Sequence, residues 1–197
     1  MWGSKSFTSA LVVASLILTS CGRVQEEHFA SGKLSESIEI NSAGVLHGKA
    51  VMYYENGKLQ AEGQYLNGVK SGTWQWFDST GVLAMSGSYL KGKQEGKYVE
   101  YFPNGKPKCI MFFSMGLKNG PAKTFHPNGS IASVVTYQDG LLNDTSRFYY
   151  PSGVLSMLSV ARNDTVVMYI EYDSTGTRYH QFSRFFPPAP ASLPAPR

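Results

Sequence analysis

GKLQAEGQYLNGVKSGTWQWFDSTGVLAMSGSYLKGKQEGKYVEYFPNG, residues 57–105, is one 24-residue unit written twice. Gly57, Gly81 and Gly105 mark the period, each behind a turn-forming residue, Asn56, Thr80 and Asn104. The series runs on to Gly129 and Gly153, behind Asn128 and Ser152. A second series, Gly48, Gly72, Gly96 and Gly120, reaches Asp144, and a third is Gly68, Gly92, Gly116 and Gly140. Aromatics keep step in two columns, Tyr53, Phe77, Tyr101, Phe125, Tyr149 and Tyr65, Tyr89, Phe113, Tyr137. Self-similarity at a fixed period of this length is the signature of a repeat architecture. The pattern drifts at both ends: residues 32–48 echo 57–72 with one residue inserted, and 172–176 (YDSTG) echo 77–81 with one missing from the period. Terminal units that cap a stack are expected to drift.

Each unit reads as a β-hairpin. Asn-Gly at 56–57, 104–105 and 128–129 is a two-residue turn signal, because both residues tolerate positive φ. Residues 58–65 then alternate polar and apolar, as a half-buried strand does. The chain reverses at Asn67-Gly68 and starts again at Gly72. The strand before Asn-Gly is less regular. Its apolar column Ala50, Trp74, Tyr98, Ala122 lies three residues from the Tyr53 column, and such residues point to opposite faces of a regular strand. Either a β-bulge re-aims one column or both faces carry aromatics. A bulged three-residue turn, the form expected here, would place Tyr53 on one face with Leu59, Ala61 and Tyr65. The prediction is an all-β protein, an elongated single-layer antiparallel meander of about six 24-residue hairpins over residues 32–184. Its aromatic columns would form cross-strand ladders, each pair contributing roughly 0.2–1 kcal/mol.

The pattern resembles the MORN-type repeat, in particular the bacterial variant of YwqK-like antitoxin proteins. The likeness is carried by G-x-W-x-x-F at Gly72–Phe77, Asn-Gly-Lys at 56–58 and 104–106, and Tyr-x-x-Gly at 65–68 and 89–92. It covers about residues 44 to 176. Ala122 and Ser146 depart from it where Trp74 stands in the earlier unit. The resemblance implies a repeat surface for binding, and through the YwqK-like group an antitoxin or immunity role.

The N-terminus sets the expected compartment. Lys5 precedes the apolar run Ala10–Leu18, and Leu18-Thr19-Ser20-Cys21 follows. The apolar run is of signal-peptide length and short of the roughly 20 residues that span a bilayer. The four residues resemble the lipobox of bacterial lipoproteins. In that family the Cys thiol is acylated and becomes the first mature residue, which implies removal of residues 1–20 and a lipid on Cys21. Several acyl chains anchor stably where one does not. Residues 21–31 then read as a tether, and residues 185–197, with five of the ten prolines, as a disordered tail. The expected location is the bacterial envelope at the outer membrane, with the periplasmic or surface side left open.

The chemistry of the chain excludes more than it suggests. The net charge is +4 with only 16% charged residues, and no Lys/Arg cluster is dense enough to track a phosphate backbone. Residues 47–123 carry ten Lys against five acids, whereas 124–176 carry two Arg against five. Lysines near turns and edges discourage sheet-to-sheet aggregation. The four histidines, His28, His47, His126 and His180, show no metal-ligand spacing. His126 shares its column with Tyr54, Asp78, Phe102 and Tyr150, which reads as a tolerant surface or edge position. Cys109 reads as a small buried hydrophobe. No nucleophile–base set, phosphate loop or cofactor motif is apparent, so no enzyme, cofactor, metal or small-molecule substrate is expected. The expected partners are the membrane, through Cys21, and a protein, with a toxin or a lipid or glycan surface as alternatives. Trp74, Trp76, Tyr98 and Tyr101 are the expected contacts, since exposed aromatics on a flat sheet mark recognition.

Overall fold

A computed structural model describes residues 15–19 and 22–184. The described residues are strands and turns, without a helix. Two compact units divide the chain, residues 1–106 and 107–197. The first holds β1 (Ser15–Thr19), β2 (Gly22–His28), β3 (Leu34–Ile40), β4 (Leu46–Tyr53), β5 (Leu59–Leu66), β6 (Val69–Phe77), β7 (Leu83–Leu90) and β8 (Lys93–Tyr101). Each strand pairs antiparallel with the next in chain order. The second holds β9 (Pro107–Ser114), β10 (Leu117–Lys118), β11 (Gly120–Phe125), β12 (Ile131–Gln138), β13 (Leu141–Tyr149), β14 (Leu155–Arg162), β15 (Thr165–Tyr172) and β16 (Arg178–Ser183). It is the same meander, with β9 pairing both β10 and β11.

The two turns of the repeat take different forms. At 54–58 the Tyr54 N–H donates to the Lys58 carbonyl (2.8 Å) and the Gly57 N–H to the Tyr54 carbonyl (2.8 Å). Only Gly57 has positive φ there, so this is a type I turn followed by a left-handed glycine and a bulge, not a two-residue primed turn. Asn56 prefers it because its Oδ1 accepts from the Lys58 N–H at 3.0 Å. The same bond pair recurs from residues 29, 41, 78, 102, 126, 150 and 173; at 41–45 the inserted residue gives this form where the later repeats have a two-residue turn. The two-residue turns lie at the other end of the hairpin. Asn67-Gly68, Lys91-Gly92, Met115-Gly116 and Asp139-Gly140 all have both φ values positive, the type I′ conformation.

Gly72 does not start a strand; it sits inside β6 at φ +65°. Register jumps there from Glu62↔Gln75 to Gln64↔Ser71. A left-handed residue takes up the extra length, and Asp144 does so at φ +67° where the glycine series lapses.

The bulged turn occurs as expected, but the faces divide differently. Met52 pairs with Ala61 and Tyr53 with Leu59. Successive residues of β4 point to opposite faces, so Tyr53 leaves Ala61 and Tyr65 behind and both faces carry aromatics. The face holding Ala61 is the better packed: Ile38, Ala50 and Trp74 are buried there, with Leu46, Met52, Tyr65, Trp76 and Tyr89 against them.

Two readings of the termini change. Residues 22–28, expected within a tether, form β2 and pair with β3 from Arg23↔Ile40 to His28↔Leu34. Val24 alternates with charged and polar neighbours in a short strand, and the turn at Phe29–Lys33 repeats the geometry of the later turns. Ser15–Thr19, within the segment read from the sequence as a signal, pairs with β2 as β1. The rest of that segment, Cys21 and the tail from 185 onward lie outside the described residues. Cys109 is buried, as its sequence position suggested.

Candidate binding face

Trp74 organises the first unit. It is fully enclosed, 0% exposed, although the sheet around it has no second layer. Two neighbours explain this. The first is Gly63: a Cβ there would lie 2.2–2.6 Å from the indole ring, so only glycine lets the ring lie flat on β5. The second is a set of rings around its rim, with Tyr65 edge-on at 5.1 Å and Trp76 stacked at 6.0 Å. The indole Nε1–H donates to the Gln64 carbonyl at 3.1 Å, so burial strands no polar group. At about 25 cal/mol per Å², covering the roughly 200 Å² of an indole is worth on the order of 5 kcal/mol.

Trp76 extends the cluster to Tyr89 (6.2 Å), and both stay half-buried. Lys70 completes it. Its Nζ lies 4.2 Å from the Trp74 ring, 5.0 Å from Trp76 and 5.4 Å from Tyr89. Tyr65 pairs with Lys70 across the strands. Among the described residues no carboxylate pairs with this ammonium. Burial pulls its pKa below the ordinary lysine value, because desolvation disfavours the charged form. Burial likewise raises Tyr65, helped by the charge of Glu36, and raises Tyr89 against the pull of a Gln94 hydrogen bond.

The residues expected as contacts therefore separate. Trp74 offers no accessible surface, so it supports the face and cannot touch a partner. Trp76 is half-buried on this face. Tyr98 lies over Gly87, where a Cβ would meet its ring at 3.0 Å, and its hydroxyl reaches Met85 Sδ (2.9 Å) and Glu100 Oε1 (3.2 Å). Tyr101 is on the opposite face, where its hydroxyl meets Ser86 Oγ at 3.4 Å. Gln75 pairs with Ser86 there, one residue out of step with Trp74 and Gly87. Sequence reading missed Lys70, Tyr89 and Tyr65 as one group. The available signal was Lys70 and Lys118 in one repeat position beside the Tyr65 column, and Lys118 Nζ indeed lies 4.9 Å from the Tyr137 ring.

His126 is more than a tolerant surface position. Its Nε2–H donates to the Tyr149 carbonyl (2.8 Å), as the Tyr54 and Tyr150 hydroxyls donate to Phe77 (2.8 Å) and Tyr172 (2.9 Å). These side chains clamp each turn to the next repeat. Shallow depressions complete the surface, one of about 340 Å³ lined by Lys49, Glu62, Gln64, Thr73 and Gln75 and one of about 440 Å³ around Asn143, Val160 and Arg162. Among the described residues no group of three or more His, Cys, Asp or Glu could hold a metal ion.

A helix-free meander of stacked hairpins with an aromatic face defines the class: a repeat protein whose surface suits scaffolding or binding. Residues 46–67, 70–91, 94–114 and 118–139 match the family model of the MORN repeat variant. The hairpins beyond residue 139 keep the same turns and pairing outside that match. No curated protein matches the chain.

Proposed function

We propose that this chain is an envelope lipoprotein, held at the bacterial outer membrane by lipid on Cys21, which presents its hairpin surface to a protein partner and catalyses nothing. The observation that carries the reading is the half-exposed group Trp76, Tyr89 and Lys70 on a rigid sheet. Aromatic anchors beside a cation on a preformed surface are what interface hot spots consist of. The lipobox-like Leu18–Cys21 supports the anchor. Cleavage before Cys21 would remove β1 and start the mature chain one residue before β2, with the sheet close to the bilayer and no long tether.

Affinity capture from native membranes, read by mass spectrometry, tests the partner. A stoichiometric protein lost on Trp76→Ala with Tyr89→Ala is the expected result, and capture unaffected by that pair would sink the assignment of the face. Metabolic labelling with palmitate tests the anchor: the label should vanish in Cys21→Ser, and an unlabelled wild-type chain would refute lipidation. If the captured partner is a toxin, co-expression should protect the cell, the role the YwqK-like resemblance implies.

A further inference from the structure

We propose that Lys70, in its seat of aromatic rings, is the point at which this surface recognises a carboxylate carried by an extended segment of a partner protein. The inference rests on the protein-binding reading above and names the chemistry of the partner.

Three observations carry it. The ammonium is half-buried and touched by the rings of Trp74, Trp76 and Tyr89 at 4.2, 5.0 and 5.4 Å. Rings attract a cation through their faces but leave its charge uncompensated. Among the described residues no acid supplies the missing charge, so an incoming carboxylate gains a charge-assisted hydrogen bond without displacing an existing one. Second, the groups touching Lys70 offer apolar surface: Trp76 and Tyr89 are both partly accessible on the same face. A carboxylate arriving with an apolar neighbour would find both needs met, as at a hot spot where a charge is ringed by aromatic surface. Third, the arrangement recurs in the second unit, where Lys118 sits over Tyr137. In the repeat between, Gln94 pairs with Tyr89, so the fold accepts a neutral side chain there and does not need the lysine.

A protein segment fits better than a membrane. Lys70 is folded back over rings, and a plane of headgroups reaches protruding charges such as the exposed Lys91 and Lys93 first. A single carboxylate on a narrow chain can reach an ammonium held down against the rings.

The test uses the full chain and an immobilised random glutamate–tyrosine copolymer, with polygalacturonate and phosphatidylglycerol vesicles as competing surfaces. Binding to the copolymer should weaken tenfold or more in Lys70→Gln, persist in Lys70→Arg and change less than twofold in Lys91→Gln. Gln94 indicates that Lys70→Gln will fold, and an unchanged near-ultraviolet circular dichroism spectrum verifies it. Equal losses in Lys70→Gln and Lys91→Gln, no copolymer binding, or tighter binding to vesicles or polygalacturonate would overturn the proposal. The two readings fail separately. A captured partner held equally by wild type and Lys70→Gln removes this site and keeps the partner. Copolymer binding that depends on Lys70, with no partner captured from membranes, keeps the site and removes the envelope-partner reading.

Discussion

The two units share a backbone plan and fill it in opposite ways. In the first, Trp74 and Tyr98 lie over Gly63 and Gly87. In the second, the positions of the two rings hold Ala122 and Ser146, and those of the glycines hold Met111 and Val135. Ala122 and Ser146 are nonetheless buried, at 5% and 0% exposure. Near the C-terminal end the pattern returns, with Tyr169 opposite Ser159. The repeat thus conserves the summed volume of a cross-strand pair, not the residue at either place. A large ring lies on a one-layer sheet where its partner is small, glycine beside Trp74 and Tyr98 and serine beside Tyr169, and a small residue is covered where its partner is bulky. The departure from the family pattern at Ala122 and Ser146 is half of a compensated exchange. The full cluster of a lysine over three rings is correspondingly confined to the first unit, while Lys118 keeps the single ring of Tyr137 in the second.

The largest expected effects test that exchange directly. Trp74→Ala should destabilise the chain by about 3–5 kcal/mol. Gly63→Val, which drives methyl groups into the indole, should cost about 3 kcal/mol. The double variant sets a small residue beside a valine, the size pattern of Ser146 and Val135 in the second unit, so its loss should fall at least about 1 kcal/mol short of the sum. Urea denaturation measures all three, and strict additivity would mean that volume is not traded between the two positions.

Next in size is the hydroxyl that the second unit carries in place of a ring. Ser146 Oγ is buried without a hydrogen-bond partner, whereas the nearby buried Ser133 has its Oγ 2.7 Å from Thr124 Oγ1. An unsatisfied buried hydroxyl costs roughly 1–3 kcal/mol and a made bond contributes about 1 kcal/mol. Ser146→Ala should therefore stabilise by about 1 kcal/mol and Ser133→Ala destabilise by about as much. Equal signs for the two would show that an uncounted partner satisfies Ser146.

Much of this was legible in the sequence, and the exceptions have physical reasons. The 24-residue register fixes hairpins and turns because glycine and asparagine are demanded by backbone geometry, which leaves a mark at each position. The bulged form of the turn at 56–57 was legible, and the type I′ form at 67–68 was not. At 56–57 Asn stays right-handed and at 67–68 it is left-handed, a choice made by loop length and the bulge at Gln60. The division of faces was lost to the same bulge. β2 was taken for a tether because its Glu26 and Glu27 look solvated, and strand pairing needs backbone alone. Trp74 was chosen as a contact because an aromatic on a thin sheet ought to be exposed; Gly63, eleven residues upstream, is the residue that hides it. Lys70 was read as one of many surface lysines, since its distinction is purely spatial.

The turns, by contrast, should behave alike in both units, and pH is the way to see it. Asp78 in the first unit and Asp173 in the second occupy the same turn position, and both carboxyls are held below the usual carboxylate range. The largest cause is a side-chain hydrogen bond from Thr80 and Thr175 respectively, with backbone N–H donors from the following turn adding to it. A pKa depressed on folding gives stability that is present above the unfolded value, near 3.9, and is lost as the pH falls through the folded value. Stability should thus decline below about pH 4, with like contributions from the two aspartates. Asn41 makes the same turn without a charge, its Oδ1 accepting from the Ala43 and Val45 N–H groups at 3.0 Å. Asp78→Asn and Asp173→Asn should keep the turn and each flatten the acid limb of a stability–pH profile. A flattening produced by only one of them would mean that the units differ in their turns as well as in their cores.

The smallest effect concerns the type I′ turns. Asn67 holds φ +52° at the first of these turns and Lys91 holds φ +51° at the next. The left-handed region costs an ordinary residue roughly 1–2 kcal/mol and an asparagine less, because its short side chain bonds locally. Lys91→Asn should therefore stabilise by about 0.5–1 kcal/mol and Asn67→Lys destabilise by a similar amount. The denaturation midpoints of the two variants should move in opposite directions. If both fall, Lys91 contributes a contact to the surface that outweighs its strained backbone, and the repeat would have kept it for that contact and not despite the turn.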